Sequence, residues 1–258
     1  MTIEYVSANS SIMLKIFIDF DGTITRRDVG DAMFESFGGI RCSEFIDEYR
    51  MGALSAIECF RKECEACGDV DKEELDAYLD SQEMDPAFAE FIQFCRSRAL
   101  EYFIVSDGMD YYISRILRRH GLGDIPFFAN SLDLVPVDGS SKVRFAPSFP
   151  YRDEVCDRCA CCKRNHMLTL SGDDDVIVYI GEGFSDRCPV RYADIVFAKD
   201  DLLKYCQQEN ISFFEYASFA DVIARLEGTL TDRPGGRRLV PGKRRRAELA
   251  RRQVYTGG

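Results

Sequence analysis

The chain has 258 residues, 33 Lys and Arg against 44 Asp and Glu, a formal net charge of −11 and 46% hydrophobic residues. That is enough apolar material for a sizeable core, yet no apolar run reaches the roughly 20 residues of a membrane-spanning helix, so membrane insertion is not expected. From Arg233 onward there are nine basic residues and one acidic one, which leaves a strongly acidic body unsuited to gripping nucleic-acid phosphates.

In chain order, MTIEYVSANSS has no basic region followed by an apolar one, so a secretory signal is not expected and a cytoplasmic location is. MLKIFIDF reads as a buried strand. VGDAMFESFGG, SEFIDEYRMG, LSAIECFRKECEACG, KEELDAYLDSQ and PAFAEFIQFCRSR carry apolar residues at helical spacing. ALEYFIVSDG reads as a second strand, and YYISRILRRHGLG as a helix closed by glycine. DLVPVDGSSKVRFAPS reads as a hairpin around its Asp-Gly turn. DDDVIVYIGEGFSD and ADIVFAKD are further strands, and SFADVIARLEG a last helix.

Strands alternating with helices predict an α/β fold with a doubly wound parallel sheet. The helical stretch after the first strand is far longer than a crossover needs. Residues 28–98 are therefore expected as a helical cap inserted into a core made of 14–27 and 99–227, with 228–258 as a basic, flexible tail. Contact with nucleic acid or an acidic surface is open to the tail alone, where a solvated, non-functional end is the favoured reading.

In such sheets the functional crevice lies at the carboxyl ends of the strands. Three strands end in chemistry there: Asp19-Phe20-Asp21-Gly22-Thr23, Ser106-Asp107-Gly108, and Gly181-Glu182-Gly183-Phe184-Ser185-Asp186. Alternation puts Asp19 and Asp21 on one side of an extended chain, and Gly22 allows a sharp turn directly after them. Carboxylates, a hydroxyl and glycine-freed amides converging at one edge bind a hard cation such as Mg2+ together with a phosphate. Asp19 and Asp21 therefore read as a metal-assisted phosphoryl-transfer pair.

DFDGTIT, VSDG, Cys-Cys-Lys before a helix, and IGEGFSD occur in that order over about Leu14 to Glu227, and they resemble the four motifs of the haloacid-dehalogenase superfamily of phosphatases. The helical insertion and the run VYIGEGFSDRCPVRYADIVFAKDDLLKYC resemble its phosphoserine-phosphatase branch. Within that branch the chain looks most like the methionine-salvage phosphatases of 2-hydroxy-3-keto-5-methylthiopentenyl 1-phosphate. The resemblance implies a magnesium-dependent hydrolase of a small phosphorylated metabolite. Asp19 would attack phosphorus to form an aspartyl-phosphate, and Asp21 would protonate the leaving alkoxide and then activate water. Lys163 would neutralise nucleophile and phosphate, with Lys142 a weaker rival in the predicted hairpin. Gly22, Ser106, Asp107, Gly108 and Asp28 complete the expected phosphate and substrate contacts. Asp107 reads more readily as a turn former than as a catalyst, and Asp28 equally as a helix N-terminal acid. Phe34, Phe37 and Tyr49 are assigned to the apolar face of the cap.

Glu182 departs from the superfamily's Gly-Asp by one methylene, which shifts the expected metal load toward Asp186. The scaffold also leaves open a phosphotransferase or mutase, and a catalytically weakened binding or regulatory protein.

CDRCACCKRNH is the other unusual stretch. Cys156, Cys159, Cys161 or Cys162, and His166 have zinc-like spacing, although a second C-x-x-C half-site is missing. A structural Zn2+ is one reading and reduced structural thiols the favoured one. Eleven cysteines, odd in number and scattered, do not form a disulfide framework. Cys64 and Cys67 read as structural thiols.

Overall fold

A computed structural model describes residues 13–154, 156 and 158–231. The basic tail beyond that, and the contacts open to it, lie outside the described residues.

Strand β1, Leu14–Ile18, forms the centre of an eight-stranded sheet. Alternation along it sends Ile16 and Ile18 into one core cluster and Phe17 into the other, so both faces of the sheet are covered. It pairs in parallel with β3, Glu101–Met109, and with β6, Val176–Gly181. Outside these lie β4, Phe127–Pro136, next to β3, and β7, Ile195–Ala198, next to β6, followed by the short β8, Phe214–Glu215. All these pairings are parallel, as expected of a doubly wound sheet.

The far edge departs from a purely parallel reading. β4 runs on past the body of the sheet and pairs antiparallel with β5, Lys142–Ser148, through the turn at Gly139. β5 in turn takes the two-residue β2, Val70–Asp71. The Asp-Gly hairpin expected here is present, and its first strand is the continuation of a core strand. Lys142 is exposed on this edge ribbon, with its backbone opposite Asp71, which removes it as a rival to Lys163.

Five helices separate β1 from β3: α1 Val29–Gly38, α2 Ile40–Arg50, α3 Ala56–Cys67, α4 Lys72–Asp80 and α5 Phe88–Ser97. The sequence starts α1 with Asp28, whose carboxylate accepts from the Asp31 amide at 2.8 Å, and α3 with a Ser55–Glu58 capping box. α1, α2 and α3 pack on one another, and α3 also packs on β5. The other two belong to the body: α4 packs against α6, Asp110–Arg119, and α5 against α9, Phe219–Thr231, through Phe88, Phe91 and Phe219. On the opposite face, α7 Lys163–Leu170 and α8 Asp200–Gln208 contribute Met167, Leu202 and Cys206 to the second cluster.

Candidate active site

The chain leaves β1 at Asp19, whose amide still donates to the Ile180 carbonyl at 2.9 Å, and turns at Gly22 with φ +66. Any side chain at Gly22 would be strained by that φ, and its Cβ would lie 2.9 Å from the Glu182 carboxylate, so glycine is required on two counts. At the end of β3 the parallel register breaks between Val105 and Met109. That irregularity releases Ser106, Asp107 and Gly108 from the ladder and turns them toward the same edge.

Lys163 opens α7 and is 1% exposed. Its ammonium donates to Asp19 Oδ1 at 2.6 Å, Asp186 Oδ1 at 2.6 Å and Ser185 Oγ at 2.8 Å, so all three of its protons are used. Burial works against that charge, but Asp186 and Asp19 outweigh it and hold the Lys163 pKa well above its usual value. Thr23 Oγ1 donates to the other oxygen of Asp19 at 3.2 Å. Asp19 is pushed up to about 7, chiefly by burial and then by Asp186, with Lys163 opposing.

Asp21 stands in a separate hydrogen-bond set. Its Oδ1 accepts from the Val29 and Gly30 amides at the start of α1, at 3.2 and 3.3 Å, and its Oδ2 from Tyr112 Oη at 2.7 Å and Ser106 Oγ at 3.3 Å. Burial, followed by the charge of Asp28, raises Asp21 to about 7. The close approach of Tyr112 explains Gly108: a Cβ there would sit 1.8 Å from the tyrosine oxygen.

These groups open onto a cavity of about 400 Å³ bounded by Asp19, Asp21, Gly22, Asp107, Gly108 and Glu182 from the core and by residues of α1, α2 and α3. Asp28, the α1 N-cap, lines it as well, so its capping role and its place in the pocket coexist. Ser106 is fully buried behind Gly108, whose amide donates to its hydroxyl at 2.9 Å. Glu182 lines the cavity and rises to about 8, through burial first and then Asp19, Asp186, Asp28 and Asp200.

Two sequence expectations change. Asp186, expected as a metal ligand, is fully buried and does not line the cavity: Oδ1 takes Lys163 and Tyr179 Oη, the latter at 2.5 Å, and Oδ2 takes the Glu182 and Gly183 amides at 2.9 and 3.0 Å. It orients Lys163 and ties down the turn after β6. The zinc reading finds no support, since among the described residues no group of three or more His, Cys, Asp or Glu side chains is placed to hold a metal ion. His166 meets Cys161 at 3.6 Å and is otherwise packed between Phe128 and Tyr151, where burial lowers it to about 4. All eleven cysteines are free.

Sequence reasoning missed several partners. Tyr112 and Tyr179 hold Asp21 and Asp186 from helix and strand positions that look like ordinary core. Tyr49, assigned to the apolar face of the cap, lines the cavity, stands edge-on to Phe184 at 5.4 Å and donates to the Arg158 carbonyl at 2.6 Å. Asp107 is more than a turn former: Oδ1 accepts from the Ala160 and Cys161 amides at 2.8 and 2.7 Å, holding the loop that presents Lys163.

Residues 14–213 match the profile of a family described as Putative Phosphatase. The chain belongs to that family. This phosphatase is 30% identical over 218 residues to the 2-hydroxy-3-keto-5-methylthiopentenyl-1-phosphate phosphatase of Geobacillus thermodenitrificans (strain NG80-2), a match covering 83% of this chain and 96% of that protein. It is 28% identical over 220 residues to the protein of the same name from Bacillus cereus (strain B4264), with the same coverages. Among solved structures, its fold matches that of a phosphoserine phosphatase carrying an analogue of the phospho-aspartyl intermediate, with a TM-score of 0.63 at 19% identity over 83% of this chain and 99% of that one. Its fold is thus that of a phosphoserine phosphatase, as expected from its motifs. Among its described residues no helix is long and apolar enough to cross a membrane.

Proposed function

We propose that this phosphatase cleaves a small phosphate monoester in two transfers, with Asp19 as nucleophile, Asp21 as acid and then base, and Lys163 as the fixed counter-charge. The observation that carries the assignment is the division of labour between the aspartates: Asp19 is gripped by a fully donating ammonium, while Asp21 is held by a phenol and two amides. Both carboxyls are pushed up to about 7, so the bonded partner decides between them: the Lys163 ammonium on Asp19 favours its ionised, nucleophilic form, whereas Asp21 has no cation bonded to it among the described residues and is the one suited to carry a proton to a leaving alkoxide.

The donor set suits Mg2+. Asp19, Asp21 and Glu182 are hard oxygen donors lining one cavity, and burial first, then neighbouring carboxylates, raise each of them, so a divalent cation relieves a strain the protein leaves in place. Among the described residues they are not gathered into a formed metal group, so binding would draw the three together, and the ion, when bound, would neutralise phosphate charge. Asp107 and Gly108 line the phosphate side, and Lys163 keeps the Asp19 carboxylate aimed. Eleven free thiols accord with a reducing, cytoplasmic setting.

For substrate, the names carried by the Geobacillus and Bacillus relatives suggest a phosphate ester with a short, oxygenated leaving group. The test is phosphate release from a panel of esters with Mg2+ and no acceptor other than water. The parent is expected to turn over and Asp19→Asn to fall by several orders of magnitude with its fold intact. Turnover by the Asp19→Asn variant within tenfold of the parent overturns the nucleophile assignment.

A further inference from the structure

The cavity has a second polar feature, on α3. Glu63, in the middle of α3, lines it yet is only 2% exposed, and its Oε1 has no hydrogen-bond partner in the protein. A buried, unpartnered carboxyl oxygen is unfavourable, and a fold keeps one where a ligand completes it. Its other link is to the Cys59 thiol, one turn earlier on the same helix. Asp28 and Asp31 stand nearby, and no arginine or lysine is hydrogen-bonded to Glu63.

A carboxyl so placed is a neutral acid. Burial first, then Asp31 and Asp28, push Glu63 up to about 9, so it carries a proton at neutral pH. With the Cys59 thiol linked to the same carboxyl and Oε1 left without a partner, the hydroxyl of the neutral acid is a donor that the protein does not satisfy. An ammonium has no lone pair to offer such a donor. A hydroxyl or carbonyl oxygen has.

We propose that Glu63 is a specificity-determining residue that hydrogen-bonds, through its unpartnered Oε1, to an uncharged oxygen on the leaving group of the substrate, and so selects hydroxy- or keto-bearing phosphate esters over alkyl and aminoalkyl ones. This rests on the phosphatase reading of the same cavity. A site built to meet a polar group rejects analogues that lack it, because its own buried group is then left unpaired.

The experiment measures kcat/KM of the full-length protein with Mg2+ for glycerol 3-phosphate, n-propyl phosphate and O-phosphoethanolamine, with para-nitrophenyl phosphate establishing that it is a phosphatase at all. Wild type is expected to prefer glycerol 3-phosphate over n-propyl phosphate by about tenfold or more, mostly through KM. Glu63→Gln keeps a neutral donor at the same place and should keep that preference. Glu63→Leu should bring the two esters within about threefold of each other. Hydrolysis of para-nitrophenyl phosphate with equal rates for the propyl and glycerol esters in wild type overturns the Glu63 proposal and leaves the phosphatase reading standing. A preference for O-phosphoethanolamine that Glu63→Gln abolishes also overturns it, since that pattern belongs to an ionised carboxylate. No turnover of any ester overturns the phosphatase reading itself.

Discussion

Asp107 offers a sharp test, because one side chain holds a catalytic loop by two bonds. Its Oδ1 accepts from the Ala160 and Cys161 amides at 2.8 and 2.7 Å, and Ala160 and Cys161 are fully buried. Asp107→Ala removes the acceptor and strands both donors. At about 1–3 kcal/mol for each buried group left unpaired, the variant should lose about 2–6 kcal/mol, a large part of a typical domain's stability. Asp107→Asn keeps a carbonyl oxygen in place and loses only the charge assistance, roughly 1 kcal/mol, or about 2–4 °C in Tm for a chain of this size. The kinetic consequence follows from position: Lys163 begins two residues after Cys161, and a displacement of about 1 Å in such a group costs on the order of 100-fold in rate. Thermal unfolding and kcat on para-nitrophenyl phosphate, measured on both variants, should therefore fall steeply for Ala and mildly for Asn. Asp107→Ala with parent-like Tm and turnover would show that the loop needs no anchor, and the reasoning would fail.

Three other outcomes are expected. Lys163→Met leaves Asp19 and Asp186 buried without their cation, so it should cost about 3–5 kcal/mol in urea unfolding and reduce turnover at least about 100-fold, and a variant as stable as the parent would refute the ion-pair account. Glu182→Ala should weaken the activating effect of Mg2+ in a titration of initial rate, whereas identical Mg2+ curves for parent, Glu182→Ala and Glu182→Asp would place Glu182 outside the metal site. Asp21 and Asp19 are both raised from an ordinary value of 3.8 to about 7, so the stability they contribute is present below about pH 4 and is lost as pH rises through 7. Metal-free protein should accordingly show a lower Tm at pH 8 than at pH 5, with Mg2+ narrowing the gap, and a metal-free Tm that rises over that range would contradict the assignment.

What could be read from the sequence was whatever chemistry is encoded locally. Asp19 and Asp21 fall on one side of the chain because they are two apart in an extended segment, Gly22 follows because of the turn, and Lys163 stands at a helix start. Tyr112 and Asp21 are 91 residues apart, and Asp107 and Cys161 are 54 apart. Such pairings are made by the sheet and leave no trace in spacing. Asp186 and the cysteine run show the opposite failure, in which spacing was right and direction was not. Asp186 has a ligand's chemistry, but the amides of Glu182 and Gly183 and the phenol of Tyr179 surround it first. His166 lies four residues beyond Cys162, yet its ring stacks on Phe128. The parallel sheet was legible as alternation, whereas the antiparallel ribbon at its edge grows from the length of β4, which periodicity does not report.

The hydrogen bond from Tyr49 to the Arg158 carbonyl spans from the second cap helix to the loop ahead of Lys163. Tyr49 thereby ties α2 to the segment that leads into Lys163, so the helix that walls the cavity and the ammonium that grips Asp19 share one mechanical link, and a shift of either would be felt by the other.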